Sequence, residues 1–348
     1  MKVALFTGVR QIEWRDEPKP RPASPGEVVV RIDRLGVCGS DVHYWADGGI
    51  GPERLEFPQT LGHECAGTVA EVGEGVARLQ EGDRVAIDPA FSCGQCDQCQ
   101  VGRQNTCRQL RFMGTPGQAL GGAAEYGVIP ADNCLRIPDR MSLEMGVMVE
   151  PLSVAIYAVR LAEVFPAARV AILGSGPIGL CVLLAVKAQA PCEVFMTDLI
   201  DERLAMAATL GADWTGNAAE GQQTVDTIVA REPDGLDVVF ECSGDPACID
   251  QAAQLLVPGG RVIQVGIPAT ERIDLEPHRF RRKELAWLNV RRQRGCMVPA
   301  IRMIDEGLID PSPLVTHRFN AEQLADAFEL VADYRDGVVK AMVEIGPG

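Results

Sequence analysis

The chain is short of basic residues: 33 lysines and arginines stand against 48 aspartates and glutamates in 348 residues, a formal net charge of −15. That field repels phosphate backbones and anionic bilayers at long range, so neither nucleic acid nor a membrane is an expected partner. Long hydrophobic runs are missing as well. The longest, Ile178 to Val186, stops at Lys187 after nine residues, well under the roughly 20 of a membrane span. The opening MKVALFTGVRQIEW lacks the apolar core of a signal peptide, so a soluble, cytoplasmic protein is expected. Glycine and proline (36 and 23) stay below low-complexity levels, and 47% hydrophobic residues is ordinary for a globular chain, which excludes disorder. The length suggests about two domains at roughly 150 residues each.

Cysteine, by contrast, is plentiful at twelve. A chain this long buries a core without disulfides, and no export signal places it in an oxidising compartment. Metal binding is the better use for them.

Up to about Leu152 the text is made of short alternating segments, such as EVVVRID (27–33) and AGTVAEVG (66–73), between Gly/Pro-rich turns such as RPASPGE. This reads as an irregular, mostly β domain. EPLSVAIYAVRL (150–161) has helical period, with Leu152, Ile156 and Val159 on one side, and marks a boundary. From Arg169 strands alternate with helices, the pattern of βαβ units and a parallel sheet. RVAIL, EVFMTD, LDVVFEC, RVIQVG and ELAWLNV read as strands, and PIGLCVLLAVKAQA, DERLAMAATLG and PACIDQAAQLL as helices. PAIRMIDEGLI and AEQLADAFELVADYR follow as amphipathic helices and GVVKAMVEI as a last strand.

GSGPIG (174–179) fits GxGxxG, and its surroundings give the match its weight. It follows a five-residue apolar strand, opens a helix, and is followed 19 residues after Gly179 by Asp198 at the end of the next strand. Gly174 would allow the tight turn, Gly176 the approach of a pyrophosphate, and Gly179 close helix–strand packing, with free N–H groups of the helix start facing the phosphates. Ile178 in the same turn and Val265 at the end of RVIQVG are further candidate contacts. Asp198 is suited to accept from a ribose diol and would repel a 2′-phosphate, favouring NAD over NADP. Arg203 argues the other way, or lies against the adenine, or faces water.

SCGQCDQCQVGRQNTC (92–107) places Cys93, Cys96, Cys99 and Cys107 in a CxxCxxCx7C array. Four thiolates close a tetrahedral zinc sphere and leave no position for water or substrate, the mark of a structural site. An iron–sulfur cluster is the rival. Elsewhere, Cys38 in GVCGSDVHYW, His63 and Glu64 in TLGHECAG and Glu150 in MVEPLSV supply the ligand types of an open, catalytic zinc site.

These segments, with GDRVAIDP, RFMGTP, AAEYGVIPADNCLRIPD, VFMTDL and PLVTHRF, resemble the zinc-dependent medium-chain dehydrogenases over nearly the whole chain, and within them the sorbitol (polyol) dehydrogenases. The resemblance implies an α/β architecture: a GroES-like, partly β catalytic domain of residues 1–152 and 290–348, and a doubly wound (Rossmann) NAD-binding domain of 153–289, with the active site in the cleft between them. It implies a catalytic zinc on Cys38, His63 and a carboxylate from Glu64 or Glu150, the other glutamate holding the zinc-bound water. Glu150 stands where alcohol dehydrogenases of the family carry a cysteine. Cys93, Cys96, Cys99 and Cys107 match the structural zinc lobe, which animal sorbitol dehydrogenases generally lack, pointing to a microbial-type enzyme. Ser40 and His43 match a proton path, and Tyr44, Phe112, Thr115, Glu150 and Arg292 match a polyol pocket, although Arg291 adjoins Arg292 and a one-residue shift would exchange them.

The expected activity is therefore zinc-dependent oxidation of a secondary hydroxyl of a sorbitol- or xylitol-type sugar alcohol to a ketose by NAD, in a homotetramer. The rival substrates are L-threonine or a simple secondary alcohol, and the rival outside catalysis is an inactive nucleotide-binding scaffold. Cys65, Cys134, Cys181, Cys192, Cys242, Cys248 and Cys296 read as inert packing residues, and His278 and His317 carry no expected chemistry.

Overall fold

The computed structural model describes residues 1–21, 24–268 and 270–346. The chain forms two compact units. One is built from the chain up to Glu150, Met297–Gly307 and the stretch from Pro311 onward, the other from Pro151–Cys296 with Leu308–Asp310.

The first unit is organised on the strand Glu27–Gly36, whose β-branched run Val28, Val29, Val30 and Ile32 is wholly buried. Glu64–Val72 pairs antiparallel along one edge, with Gly36 opposite Glu64. Tyr126–Pro130 and Lys340–Glu344 share the other edge, with Gly36 opposite Met342. Arg84–Ile87, Cys134–Arg136 and Val315–Asn320 complete a seven-stranded sheet. Two helices, Gly39–Asp47 and Leu324–Ala332, meet through an aromatic cluster: the Phe328 ring lies 5.1 Å from that of Phe6 and 5.5 Å from that of Trp45.

The second unit holds a six-stranded parallel sheet in the order Trp214–Asn217, Glu193–Asp198, Arg169–Leu173, Leu236–Glu241, Leu256–Gln264, Ala286–Asn289. The strand that comes first in the chain is central, so the order reverses between Arg169–Leu173 and Leu236–Glu241, the doubly wound arrangement. Val225, Ile228, Ile249, Ala252 and Leu255 from the helices Gln222–Arg231 and Ala247–Leu255 close one face over Ala171, Leu173, Val239 and Val262.

Several elements differ from the sequence reading. The helix starting near Glu150 in fact runs from Leu143 to Ala162. Gly146 hides its first turns from a propensity argument, yet an ideal Cβ there would stand 3.0 Å from that of Ala66, so the glycine is what lets helix and strand approach. Its most apolar 18-residue stretch has a mean hydropathy of 1.4, but 72% of that stretch is buried in the protein, as befits a core helix. The strand around RVIQVG starts earlier, at Leu256, because a register shift absorbs Pro258 and its two following glycines. Trp214–Asn217 and Gln222–Arg231 escaped altogether: the first is four residues at a sheet edge, and the second is largely polar.

Candidate metal centres and nucleotide turn

Cys38 is the N-cap residue of the helix Gly39–Asp47, and His63 immediately precedes the strand Glu64–Val72. The pairing of Gly36 with Glu64 carries this strand start to the end of Glu27–Gly36, two residues before Cys38. Ligand atoms of Cys38, His63 and Glu64 all lie within 4.8 Å of one another. Tetrahedral coordination at bonds of about 2.0–2.3 Å requires ligand–ligand edges of roughly 3.3–3.8 Å, within reach of this set. A thiolate, an imidazole and a carboxylate are also the donor types of a three-ligand, open zinc site.

The groups around the trio fix its orientation. Asp41, almost fully buried, accepts from the Gly62 N–H at 3.2 Å and lies 3.1 Å from His63 Nδ1 through the same oxygen, which leaves His63 Nε2 for a metal. Lys340 Nζ donates to both oxygens of Glu64, at 2.7 and 2.5 Å, and to the Val37 carbonyl at 3.3 Å. The Ser40 hydroxyl donates to Cys38 Sγ at 3.4 Å, and the Phe112 ring packs on His63 with centroids 5.1 Å apart. Glu150 is buried but is not one of the three convergent groups. Burial pushes its carboxyl up to about 7, His63 opposing, Glu64 and Asp88 adding to the rise and Lys340 opposing again.

In the cysteine lobe, sulfur–sulfur separations are 3.6 Å for Cys96–Cys99, 3.9 Å for Cys96–Cys107 and 3.5 Å for Cys93–Cys107. Four sulfurs about 2.3 Å from one tetrahedral ion would be roughly 3.8 Å apart. The array therefore fits a single ion; a cluster of several irons would hold the cysteines further apart. Main-chain N–H groups of Cys93 and Gln109 donate to Cys107 Sγ at 3.3 and 3.4 Å, and those of Arg108 and Cys99 draw Cys96 down to about 6. Arg108 clamps Asp97 with hydrogen bonds of 2.5 and 2.9 Å, tying the two ends of the lobe.

The glycine-rich turn joins Arg169–Leu173 to the helix Pro177–Gln189. Gly174 has φ +104°, and a side chain there would run into the Ser243 backbone, 2.8 Å from its nitrogen. Gly176 is the N-cap residue, and an ideal Cβ on it would meet nothing nearer than the Arg203 guanidinium, 3.7 Å away. Asp198 accepts from the main-chain N–H of Ser175 at 2.6 Å and of Ile200 at 2.9 Å, so it also shapes the turn.

Residues 24–139 match the alcohol dehydrogenase GroES-like domain and residues 177–306 the zinc-binding dehydrogenase domain. The chain is 34% identical to a sorbitol dehydrogenase of Bacillus subtilis over 99% of its own length and 97% of the relative's. This chain belongs to the zinc-containing medium-chain dehydrogenase family, close to its polyol dehydrogenases. It is 39% identical to an L-idonate 5-dehydrogenase of Vitis vinifera, over 88% of this chain and 85% of that one. A short chain alcohol dehydrogenase of Escherichia coli complexed with NADH superposes with a TM-score of 0.91 at 31% identity, covering 99% of both chains. The family's α/β architecture, a GroES-like domain with a Rossmann-type domain, is that of the two units described above.

Of the other residues singled out in the sequence, Tyr44 is buried, with its hydroxyl donating to Glu53 at 2.8 Å, and Thr115 is buried as well. His43 is partly exposed, its Nδ1 2.9 Å from Asp47. Tyr44, Phe112 and Thr115 belong to the first unit, while Ile178, Val265 and Arg292 belong to the second, Arg292 with a left-handed φ of 54°. Burial pushes the thiol of Cys134 up to about 12 and that of Cys248 up to about 11, so neither is ionised near neutrality. Asp41 and Lys340 were not anticipated. Asp41 carried a signal, since it lies three residues after Cys38, but Lys340 had none in its own stretch of sequence.

Proposed function

We propose that the chain is an NAD-dependent dehydrogenase that oxidises a secondary hydroxyl of a sugar alcohol, sorbitol or xylitol in type, to the ketose. One zinc ion is held by Cys38, His63 and Glu64, and a second by Cys93, Cys96, Cys99 and Cys107. The observation that carries this reading is the convergence of the first trio with the Ser40 hydroxyl beside it. When bound, zinc supplies Lewis acidity that lowers the pKa of the substrate hydroxyl, and NAD accepts the hydride from its carbon.

The protein's own groups handle the proton and the orientation. Ser40 Oγ, next to Cys38, takes the hydroxyl proton as its own passes on. His43, three residues along the same helix and so on the same face, hands it toward solvent, with Asp47 orienting its ring. Asp41 keeps His63 in the tautomer that coordinates, and Lys340 fixes the orientation of the Glu64 carboxyl group. The convergence of Glu64, and not Glu150, with Cys38 and His63 favours Glu64 as the ligand and leaves Glu150 to hold the water or a substrate hydroxyl.

Tyr44, Phe112, Thr115 and Arg292 are assigned to substrate by the family resemblance. Several fixed polar partners suit a polyol, because a missing hydroxyl leaves one of them unpaired. Asp198 supports NAD over NADP through its charge, and a homotetramer is proposed on the resemblance alone.

The test is NADH absorbance with sorbitol, xylitol, galactitol, L-threonine and 2-butanol. Turnover of at least one polyol with kcat/KM above that of the last two is the expected result. Turnover of threonine or butanol alone would replace the substrate class, and zinc-loaded protein inert toward all five would replace the reading. Light scattering checks the tetramer.

A further inference from the structure

Glu241 is 1% exposed, ends the strand Leu236–Glu241, and has no part in the chemistry proposed above. Its Oε1 accepts three hydrogen bonds from the turn that follows it: from the Ser243 N–H at 2.7 Å, the Gly244 N–H at 2.8 Å and the Ser243 hydroxyl at 2.6 Å. Its main-chain carbonyl accepts from Val265 and Gly266 at 2.8 and 2.9 Å. The other carboxylate oxygen lies so close to Gly266 that an ideal Cβ there would stand 2.7 Å from it. One residue thus ties the turn after its own strand to the end of the neighbouring strand.

That turn is the one the first glycine of GSGPIG packs against. Glu241 pairs in register with Leu173, the residue before Gly174, and the Cys242 N–H donates to the Leu173 carbonyl at 2.8 Å. The clash that any side chain on Gly174 would meet is with residues 242 and 243. These two strands flank the point where the sheet order reverses, and ligands of doubly wound sheets bind beyond the C-terminal strand ends at that point. A carboxylate placed here would repel phosphate if it faced it. Instead it is turned inward, onto donors that shape the backbone beside the glycine turn.

We propose that Glu241 is a positioning residue for the dinucleotide: by clamping residues 242–244 it fixes the surface against which the Gly174–Gly179 turn is set. The proposal rests on reading that turn as the dinucleotide site. It acts on cofactor affinity and leaves the metal centres alone, whose residues all belong to the other unit.

The experiment compares zinc-loaded wild type, Glu241→Gln and Ser243→Ala by fluorescence titration with NADH, together with zinc content and the separate KM values for NAD and polyol. Glu241→Gln keeps the shape and loses the charge, and Ser243→Ala removes one of the three donors should the first variant fail to fold. The expected result is NADH affinity weakened about tenfold in Glu241→Gln and about threefold in Ser243→Ala, with the KM for NAD rising in step while polyol KM and zinc content stay put. Unchanged NADH affinity in the folded variants overturns the proposal. So does a loss shared equally by polyol KM and zinc content, which would mark a general structural role. Wild type that binds no NADH overturns the reading of the turn as well, whereas binding in wild type with indifferent variants overturns only the role of Glu241.

Discussion

Lys340 and Glu64, 276 residues apart in the chain, form an ion pair closed off from water: Nζ stands 2.5 Å from the nearer carboxylate oxygen, and the side chains are 1% and 2% exposed. Removing one member of a buried pair leaves an uncompensated charge and typically costs about 3–5 kcal/mol. In Lys340→Met the stranded carboxylate would take compensating positive charge from a zinc ion on the adjacent candidate ligands. Stability of this variant should therefore depend on zinc more than that of wild type does. Denaturant unfolding with and without a chelator measures it: a loss of about 3–5 kcal/mol without metal, partly restored by zinc, is expected. An equal loss in both forms would mean that Glu64 does not face the ion.

How much of this was legible beforehand follows from sequence distance. RVAIL and EVFMTD are strands at the residues read for them, because a buried parallel strand announces itself as a continuous apolar run. The four cysteines of the lobe are local and converge as their spacing implied. Cys38, His63 and Glu64 were named from residue types and family resemblance, and only the register of Glu27–Gly36 with Glu64–Val72 brings them together. The choice between Glu64 and Glu150 was open in the sequence. The convergence of Glu64 with the other two candidate ligands is a tertiary fact, as is the Lys340 ammonium that holds it. Trp214–Asn217 was invisible for the opposite reason: it is short, and its side chains are only partly buried, so no period marks it.

The lobe should fail as a unit when one sulfur is lost. Cys107 accepts two main-chain N–H groups and lies within 3.9 Å of both Cys93 and Cys96 sulfurs, so Cys107→Ser removes the ligand that closes the sphere. Zinc by atomic absorption is expected to fall from two ions per chain to one. Trypsin should then cut at Arg103 or Arg108, the latter no longer held against Asp97. Two zinc ions and an uncut chain in the variant would count against Cys107 as a ligand the lobe depends on.

Asp198 combines a charge with two main-chain hydrogen bonds, and the amide variant separates the two roles. Asp198→Asn keeps an oxygen for an N–H donor but removes the charge that opposes a 2′-phosphate. Unit charges about 4 Å apart near a protein surface interact by roughly 4 kcal/mol, so even a fraction of this is a factor of ten or more. The ratio of kcat/KM for NAD to that for NADP should fall at least about tenfold, mostly through a lower KM for NADP. A ratio that does not move would assign cofactor choice to another group, with Arg203 the first to examine.

Ser40 and His43 occupy one face of a single helix, but only Ser40 touches a metal-ligand candidate. If the proton leaves through Ser40, then Ser40→Ala removes the first acceptor and should lower kcat by about 10²- to 10⁴-fold, the range for a lost general acid–base group. Zinc content and NADH affinity should change far less than kcat, because Ser40 is not among the residues proposed to hold either group. His43 acts one transfer later and at a partly exposed position, where water and buffer can substitute. His43→Ala should therefore lose less, about tenfold, and recover with added imidazole in proportion to its basic form. The contrast between the two variants is the decisive measurement: a His43→Ala loss as deep as that of Ser40→Ala, with no rescue by imidazole, would place the histidine in direct contact with substrate and remove the serine from the path.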